Sequence, residues 1–483
     1  MEQIKSLNLP NSKIIEIEMV KRNADEDNNI QALPKICRVV IESSFSEESF
    51  IISELWMPDN WNGVFVGLGN GGPAGNINAD FMKYAQDGYA VAQTDMGTSL
   101  VVNKKKLIGT PDLWKDYGWR STHIMTVVSK MIIEAYYGRK AEYSYFFGES
   151  AGGLQAFSEA QRFPDDYNGI LAGVPSNNAL YFMVYFLWLY NHMRTPEGTG
   201  VITRALSNKI GDCAAAFFQA KGDGEPGDNF VTYPYAGPET VKEFISFLRE
   251  KMPELTEQQL FALEAAYNGP VNPKTNEQIF CGLPIGSEPN SGLLGEPDSI
   301  ATELGYPWFR LFFGQDFKGR TFDFSDHVDI MKESIGDDFT ANNPDLTPFK
   351  SRGGKFLVYS GSADPAGPWP DAVKYYNRVC EKMGGYDNVA DFYKYFILPG
   401  KGHGGDGRGV NVWWGNMDEQ ALLDTLRNWC EKNEEPECIV GARRIKSGED
   451  AGKIAWKRKI YPYKADKVEG KDFPKSCDER YLK

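Results

Sequence analysis

The stretch Tyr143-Ser144-Tyr145-Phe146-Phe147-Gly148-Glu149-Ser150-Ala151-Gly152-Gly153-Leu154-Gln155-Ala156-Phe157 runs from a short apolar strand, through a glycine-flanked serine, into a helix. Tyr143 to Phe147 has the aromatic-rich composition of a buried strand, and Ala151 to Gln161 that of a helix. Between them, Gly148-Glu149-Ser150-Ala151-Gly152 fits GxSxG, the sharp strand-to-helix turn that exposes a nucleophilic serine. Glycines flank the serine because so tight a turn leaves no room for larger side chains. An ordinary serine in a glycine-rich turn would need neither the strand before it nor the helix after it.

Outward from this turn, short apolar strands alternate with helices. Upstream, Ile36–Ile41 and Phe50–Met57 read as a strand pair, followed by strands at Gly63–Leu68 and Tyr89–Thr94 and a helix over Thr122–Tyr137. The alternation breaks after Pro175 and resumes at Lys355–Tyr359 and Tyr393–Leu398. It predicts a mostly parallel α/β sheet interrupted by a helical, loop-rich insertion. The expected organisation is a first part of the α/β domain at 1–175, a lid domain at 176–344, and the second part of the α/β domain at 345–483. From Arg443 onward the lysine-rich tail reads as a solvated face.

Serine is a weak nucleophile at neutral pH and needs a base oriented by an acid. The chain has four histidines. His123 falls in a helix, His192 ends an apolar helix, and His327 lies in the insertion, where structural roles suit them. His403 follows the late strand directly, in Pro399-Gly400-Lys401-Gly402-His403-Gly404-Gly405, a flexible loop suited to a general base. The acid of such a set precedes the histidine in the chain. Asp364, just past Lys355–Tyr359 and followed by Pro365, is the candidate; Asp345 and Asp371 are rivals that do not sit at a strand end. An oxyanion hole needs two backbone N–H donors. Ala151 supplies one, and the loop Gly69-Asn70-Gly71-Gly72 the other, through Gly72 or alternatively Gly71. That loop lacks the GxGxxG or GxxxxGK[ST] pattern of a phosphate cradle.

Composition narrows the field further. The chain has 483 residues and a net charge of −14, against a role in binding nucleic acid, which needs a basic surface. With 42% hydrophobic and 24% charged residues it falls in the range of soluble globular proteins. Ala179–Tyr190, the longest apolar stretch, is too short to span a bilayer and reads as a buried helix, so no membrane association is expected. The seven cysteines are odd in number and show no CxxC or metal-ligand spacing, and the N-terminal residues lack the apolar core of a signal peptide. A reduced, cytoplasmic protein is expected, with no cofactor and no metal.

With these residues placed, the chain resembles the tannase/feruloyl esterase family, from about Cys37 to Phe473. The likeness rests on Trp61-Asn62-Gly63 leading to Gly69-Asn70-Gly71-Gly72, and on the serine turn followed by Glu159-Ala160-Gln161-Arg162-Phe163-Pro164. Gly269-Pro270-Val271-Asn272-Pro273, Asn343-Pro344-Asp345-Leu346, Gly353-Gly354-Lys355, Asp364-Pro365 and the His403 loop complete it. The resemblance implies an α/β hydrolase fold with a large inserted lid. It also implies a serine carboxylic ester hydrolase using Ser150, Asp364 and His403 on small-molecule esters of aromatic acids, galloyl or hydroxycinnamoyl. A lid pocket follows from the same likeness, with Tyr181, Phe182, Trp188, Trp308, Phe312 and Phe313 as candidate liners. An acyltransferase or general carboxylesterase with the same triad, and a non-catalytic ligand-binding protein, are the alternatives. Family members carry cysteines beside the serine and the histidine, joined as a disulfide; here those positions are Glu149 and Gly404, which suits a reduced compartment. Glu149 is expected to replace the disulfide by accepting hydrogen bonds from the Gly404-Gly405 backbone. The family's lid calcium loop corresponds only to Gly222–Asp228, with altered aspartate spacing.

Overall fold

The computed structural model describes residues 2–21, 34–72, 77, 82–98, 111–233, 237–290, 306–314, 316–404, 407–413 and 419–464. The chain divides into two compact units. The first comprises Met1–Asn177, Ile335–Leu357 and Leu423–Glu434; the second comprises Asn178–Ser334, Val358–Leu422 and Glu435–Lys483.

The first unit is built on strands β1 (Ser12–Val20), β2 (Ile36–Ser43), β3 (Ile51–Pro58), β4 (Val64–Leu68), β5 (Ala90–Thr94), β6 (Tyr143–Glu149) and β7 (Gly169–Gly173). They lie in the order β1-β2-β3-β5-β4-β6-β7. The first three and β5 pair antiparallel, whereas β4 is parallel to both β5 and β6, and β6 to β7. All five residues of β4, β5 and β7 are buried, as befits central parallel strands covered on both faces. β1 alternates polar and apolar residues and is largely exposed. Beside it, Arg38 on β2 pairs with Glu16 and Glu54 across the strands, placing charge on the solvent face of the antiparallel edge.

Parallel register is what positions the loops after β4 and β6. Leu68 lies opposite Phe147, so the chains leaving β4 and β6 emerge side by side at one end of the sheet. The helix Ser121–Tyr137 buries Ile124, Met125, Val128, Ile132 and Ile133 and stops at Gly138, whose φ of 74° gives the left-handed end that glycine favours. A π-helical turn, Asp116–Arg120, precedes it and was not expected from the periodicity.

The division between units falls inside β8 (Lys355–Gly361). Its first residues close the first unit, where the Lys355 amide donates to the Asn168 carbonyl at 3.0 Å. In the second unit the rest of β8 neighbours β9 (Tyr393–Leu398), with the helix Trp369–Lys382 between them in sequence. The second unit also holds the helix Ala179–Met193, apolar and aromatic as far as Tyr190, and two helices with side-chain caps, Arg204–Gln219 on Thr203 and Glu257–Asn268 on a Thr256–Gln259 capping box. No helix among the described residues is long and apolar enough to cross a membrane. The tail expected as a solvated face is largely exposed and also ordered: its strand β12 (Ile454–Ile460) pairs with β11 (Ile439–Arg444), which pairs with β10 (Val412–Trp413), in a small antiparallel sheet. Lys457 and Lys459 alternate with Trp456 and Arg458 on β12, so the lysines mark one face of a strand rather than a coil.

Candidate active site

In the first unit, β6 ends at Glu149 and the helix Ala151–Arg162 begins one residue after Ser150. Ser150 itself has φ 58° and ψ −115°, a conformation a non-glycine residue adopts only where its surroundings enforce it. The enforcement is by backbone. The Ser150 amide donates to the Gly173 carbonyl at 3.0 Å; its carbonyl accepts from the Gly153 amide at 2.9 Å and the Ser176 hydroxyl at 2.9 Å. Space around the turn is equally tight. A Cβ on Gly148 would stand 2.2 Å from the Gly152 carbonyl oxygen, and one on Gly153 would stand 2.5 Å from the Pro175 Cα.

The glycine-rich loop after β4 is fastened to this turn. The Gly152 amide donates to the Asn70 carbonyl at 2.7 Å, and the Asn70 amide donates to Gln155 Oε1 at 2.8 Å. Gln155 Nε2 continues to Thr122 Oγ1, while Asn70 Nδ2 reaches the Thr94 carbonyl and Gln93 Nε2 the Gly69 carbonyl. This buried amide network, with Asn70 4% and Gln155 0% exposed, was missed in the sequence. Its only sequence signal is a pair of amides, Gln93 and Gln155, inside otherwise apolar elements. Past Asn70 the crowding ends, for a Cβ on Gly71 or Gly72 would meet nothing within 4 Å, and Gly72 has φ 65°. Ala151 is buried as the first residue of its helix, where an amide has no partner within the helix.

In the second unit, Asp364 and His403 meet. His403 Nδ1 lies 2.9 Å from Asp364 Oδ2 and 3.1 Å from Oδ1. The carboxylate is wholly buried, whereas the imidazole retains 24% of its side-chain exposure. A carboxylate facing Nδ1 assigns the proton to that nitrogen, leaving Nε2 as the acceptor that a general base requires. Asp364 Oδ1 also accepts from the Ala366 amide at 2.8 Å, which fixes the carboxylate at the start of its turn. Ser362 supports both loops: its hydroxyl donates to the Val231 carbonyl and accepts from the Gly400 amide.

The rivals have other occupations. Asp345 Oδ1 accepts from the Thr347 amide, an N-terminal helix contact. Asp371 is half-buried in the first turn of Trp369–Lys382, where desolvation lifts its carboxyl to about 6. His123 bonds Asp166 at 2.6 Å and stacks on Phe163, His192 bonds the Trp188 carbonyl, and His327 accepts from the Asp323 amide.

The six aromatic candidates all lie in the second unit. Phe182 is buried against Phe186 and Phe280, Trp188 donates to the Ala265 carbonyl, and Trp308 is buried beside Phe309. Phe312 and Phe313 meet edge to face, and Phe313 packs on Phe317 and His327. Tyr181 is half-buried, with its phenol pushed above the usual range by burial. Glu149 is half-buried at the end of β6; of its expected partners, Gly404 is exposed and Gly405 lies outside the described residues. In Gly222–Asp228, Asp223 accepts from the Thr232 and Tyr233 amides, and Arg458 donates twice to the Asp228 carboxylate, at 2.7 and 2.6 Å. A guanidinium on that carboxylate does not fit a calcium-binding loop. Six cysteines, from Cys37 to Cys438, are free thiols, and Cys477 lies outside the described residues.

Against known proteins, a family model described as tannase and feruloyl esterase matches residues 37–305 and 314–471. The chain is 31% identical over 444 residues to a probable feruloyl esterase of Arthroderma benhamiae, covering 86% of this chain and 80% of that one. Feruloyl esterase B of Aspergillus niger is 27% identical, with 87% and 82% covered. Among solved structures, feruloyl esterase B from Aspergillus oryzae superposes with a TM-score of 0.77 at 22% identity, covering 96% of this chain and 95% of that one. An esterase from the same organism superposes with a TM-score of 0.78 at 22% identity over 99% of both chains. The sheet order, the turn at Ser150 and these likenesses agree on an α/β hydrolase fold.

Proposed function

This chain belongs to the tannase and feruloyl esterase family, carboxylic ester hydrolases, and we propose that it cleaves esters of phenolic aromatic acids through an acyl-enzyme on Ser150. In this reading Ser150 Oγ attacks the ester carbonyl while His403 Nε2 takes its proton. The tetrahedral oxyanion is held by the amides of Ala151 and Gly72. Collapse expels the alcohol, which receives the proton from His403. Water, deprotonated by the same imidazole, then attacks the acyl-enzyme and releases the acid. Asp364 keeps the imidazole in the Nδ1–H tautomer and stabilises the cation that forms in each step. Residues 176–344 act as the lid, with Tyr181, Phe182, Trp188, Trp308, Phe312 and Phe313 supplying the aromatic-acid pocket.

The observation that carries this reading is the left-handed Ser150, held at the strand-to-helix turn by three backbone-directed hydrogen bonds at 2.9–3.0 Å. A conformation this costly, of order 1–3 kcal/mol, persists where the serine has a use for it. The test is turnover of methyl ferulate, methyl gallate, chlorogenate and p-nitrophenyl acetate by the parent and by Ser150→Ala. The aromatic esters should be cleaved with kcat/KM above that of the acetate, and the variant should cleave none. Turnover that survives the substitution sinks the serine mechanism; cleavage confined to short aliphatic acyl groups sinks the phenolic-acid assignment.

A further inference from the structure

His403 sits in a loop of glycines and proline that has little side-chain bulk to hold it, apart from one residue. Lys401 is 1% exposed, an unusual place for an ammonium, whose burial is costly unless its donors are satisfied. Its Nζ donates to three successive carbonyls: Gly402 at 3.0 Å, His403 at 3.1 Å and Gly404 at 3.2 Å. An ammonium has three N–H donors, and here three acceptors converge on it. Consecutive carbonyls point to one centre only when the chain curls around that centre. The cation therefore fixes the direction of the peptide groups on both sides of His403 as well as that of the histidine itself. Charge-assisted hydrogen bonds of this kind are stronger than neutral ones.

The backbone of the same residue grips the acid. The Lys401 carbonyl accepts from the Ala363 amide at 3.1 Å, immediately before Asp364. Gly361 permits that approach, because a Cβ there would stand 2.2 Å from the Lys401 carbonyl oxygen. Lys401 also bridges to Gly407, which closes the loop behind the histidine, and its ammonium lies 6.0 Å from the Tyr359 ring centroid on β8. One residue thus ties the acid's turn through its carbonyl and the base's loop through its side chain.

We propose that Lys401 is a positioning residue for the reaction, its ammonium holding the His403 loop curled so that Nδ1 stays on Asp364. The proposal rests on His403 being the base. A lysine that merely filled space would be replaceable by a side chain of equal length without donors. One that orients the imidazole is not, because freed carbonyls would swing toward water and carry the ring with them. Misplacement by about 1 Å suffices to cost about a hundredfold in rate.

The experiment uses the full chain as Lys401→Met, which keeps an unbranched side chain but no donor, and Lys401→Gln, which keeps two N–H groups without the charge. His403→Ala is the control. Measurements are kcat and KM on p-nitrophenyl acetate, the rate of Ser150 labelling by a fluorophosphonate, and the downfield proton resonance of His403 Nδ1–H. Lys401→Met should lose about ten- to a hundredfold in kcat at constant KM, with labelling slowed in parallel and the resonance broadened. Lys401→Gln should fall between it and the parent. Parental kcat and resonance in folded Lys401→Met overturn the proposal, as does a change confined to KM. Should Lys401→Met not fold, Lys401→Gln decides; failure of both to fold makes the lysine a determinant of folding and overturns the positioning role. Turnover persisting in His403→Ala instead removes the triad reading, a result distinct from loss of the Lys401 proposal alone.

Discussion

The turn at Ser150 and the Asp364–His403 pair are held by opposite means. In the first unit Ser150 is fixed by what is missing: glycines at 148, 152 and 153 let backbones approach to distances no side chain allows. Of the hydrogen bonds that hold its conformation, all but the one from the Ser176 hydroxyl are main chain to main chain. In the second unit Asp364 and His403 are fixed by what is present, a buried carboxylate, a buried ammonium and a serine hydroxyl, each meeting named donors or acceptors. Main-chain positioning depends on a few neighbouring residues, and any added atom damages it. Side-chain positioning depends on chemistry, and survives changes of size better than changes of charge or donor. The two regions should therefore fail differently when altered.

The largest expected effect is common to both. Ser150→Ala should lower kcat by at least about 10⁴-fold while leaving thermal unfolding near the parent's, since it removes the proposed nucleophile and relieves no packing. Next comes Asp364→Asn, which preserves shape and volume. It should lower kcat by about 10³–10⁴-fold by favouring the wrong imidazole tautomer, with unfolding shifted far less. Retention of more than a tenth of the activity would mean that the pair is not held by charge. The third change breaks the comparison from the other side. Gly148→Ala adds one methyl group to the turn and should destabilise the chain by about 1–3 kcal/mol in denaturant unfolding, with activity falling as the serine shifts. Gly71→Ala, placed where a Cβ meets nothing within 4 Å, should stay within about 0.5 kcal/mol of the parent. Equal costs for the two glycines would refute the argument from crowding.

The last effect concerns pH rather than activity. Glu288, in the turn whose Asn290 Nδ2 donates to the Ala363 carbonyl, is wholly buried and accepts from Tyr267 Oη and the Gly286 amide. Burial raises its carboxyl from 4.5 to about 7. Between those values the folded chain keeps a proton that the unfolded chain releases, so this group's contribution to stability is full below about 4.5 and declines as pH rises to about 7. Glu288→Gln should lose that slope, unfolding at more nearly constant temperature between pH 5 and 8 than the parent does. An unchanged slope would place the titration elsewhere.

This contrast also explains what could be read from the sequence. The strand, turn and helix around Ser150 are encoded within adjacent residues, so the elements from Tyr143 to Arg162 were legible almost to their ends. The outer antiparallel strands β2 and β3 and the central β4 and β5 were legible for the same reason. β1 and β7 were not. β1 sets Lys13, Glu16 and Glu18 among its apolar residues, and β7 is five residues with a glycine at each end, so neither stands out as an apolar strand. His403 and Asp364 could be nominated from their places after strands, but nothing local reports that they meet. Lys401 was hidden further still: a lysine between glycines looks like a solvated loop residue, and only the curled carbonyls reveal a buried cation. The β11–β12 pairing was lost because its lysines alternate with residues that only the structure shows to share a face.

The passage of β8 from one unit into the other has a consequence for how the chain is made. The first unit is not contiguous: it recovers Ile335–Leu357 and then Leu423–Glu434 long after Asn177. The helix Glu419–Lys432 is locked to the sheet by Tyr145 Oη on Glu431 and by Arg427 on Tyr89, contacts 286 and 338 residues apart in sequence. At roughly 5–20 residues per second, a ribosome delivers those segments on the order of tens of seconds after Asn177. For that interval β7 is an apolar edge strand with an open ladder, the arrangement most prone to pair with the wrong chain. Expression at lowered temperature, or with chaperones that bind nascent chains, should therefore raise the soluble yield more than any substitution at Ser150, Asp364 or His403.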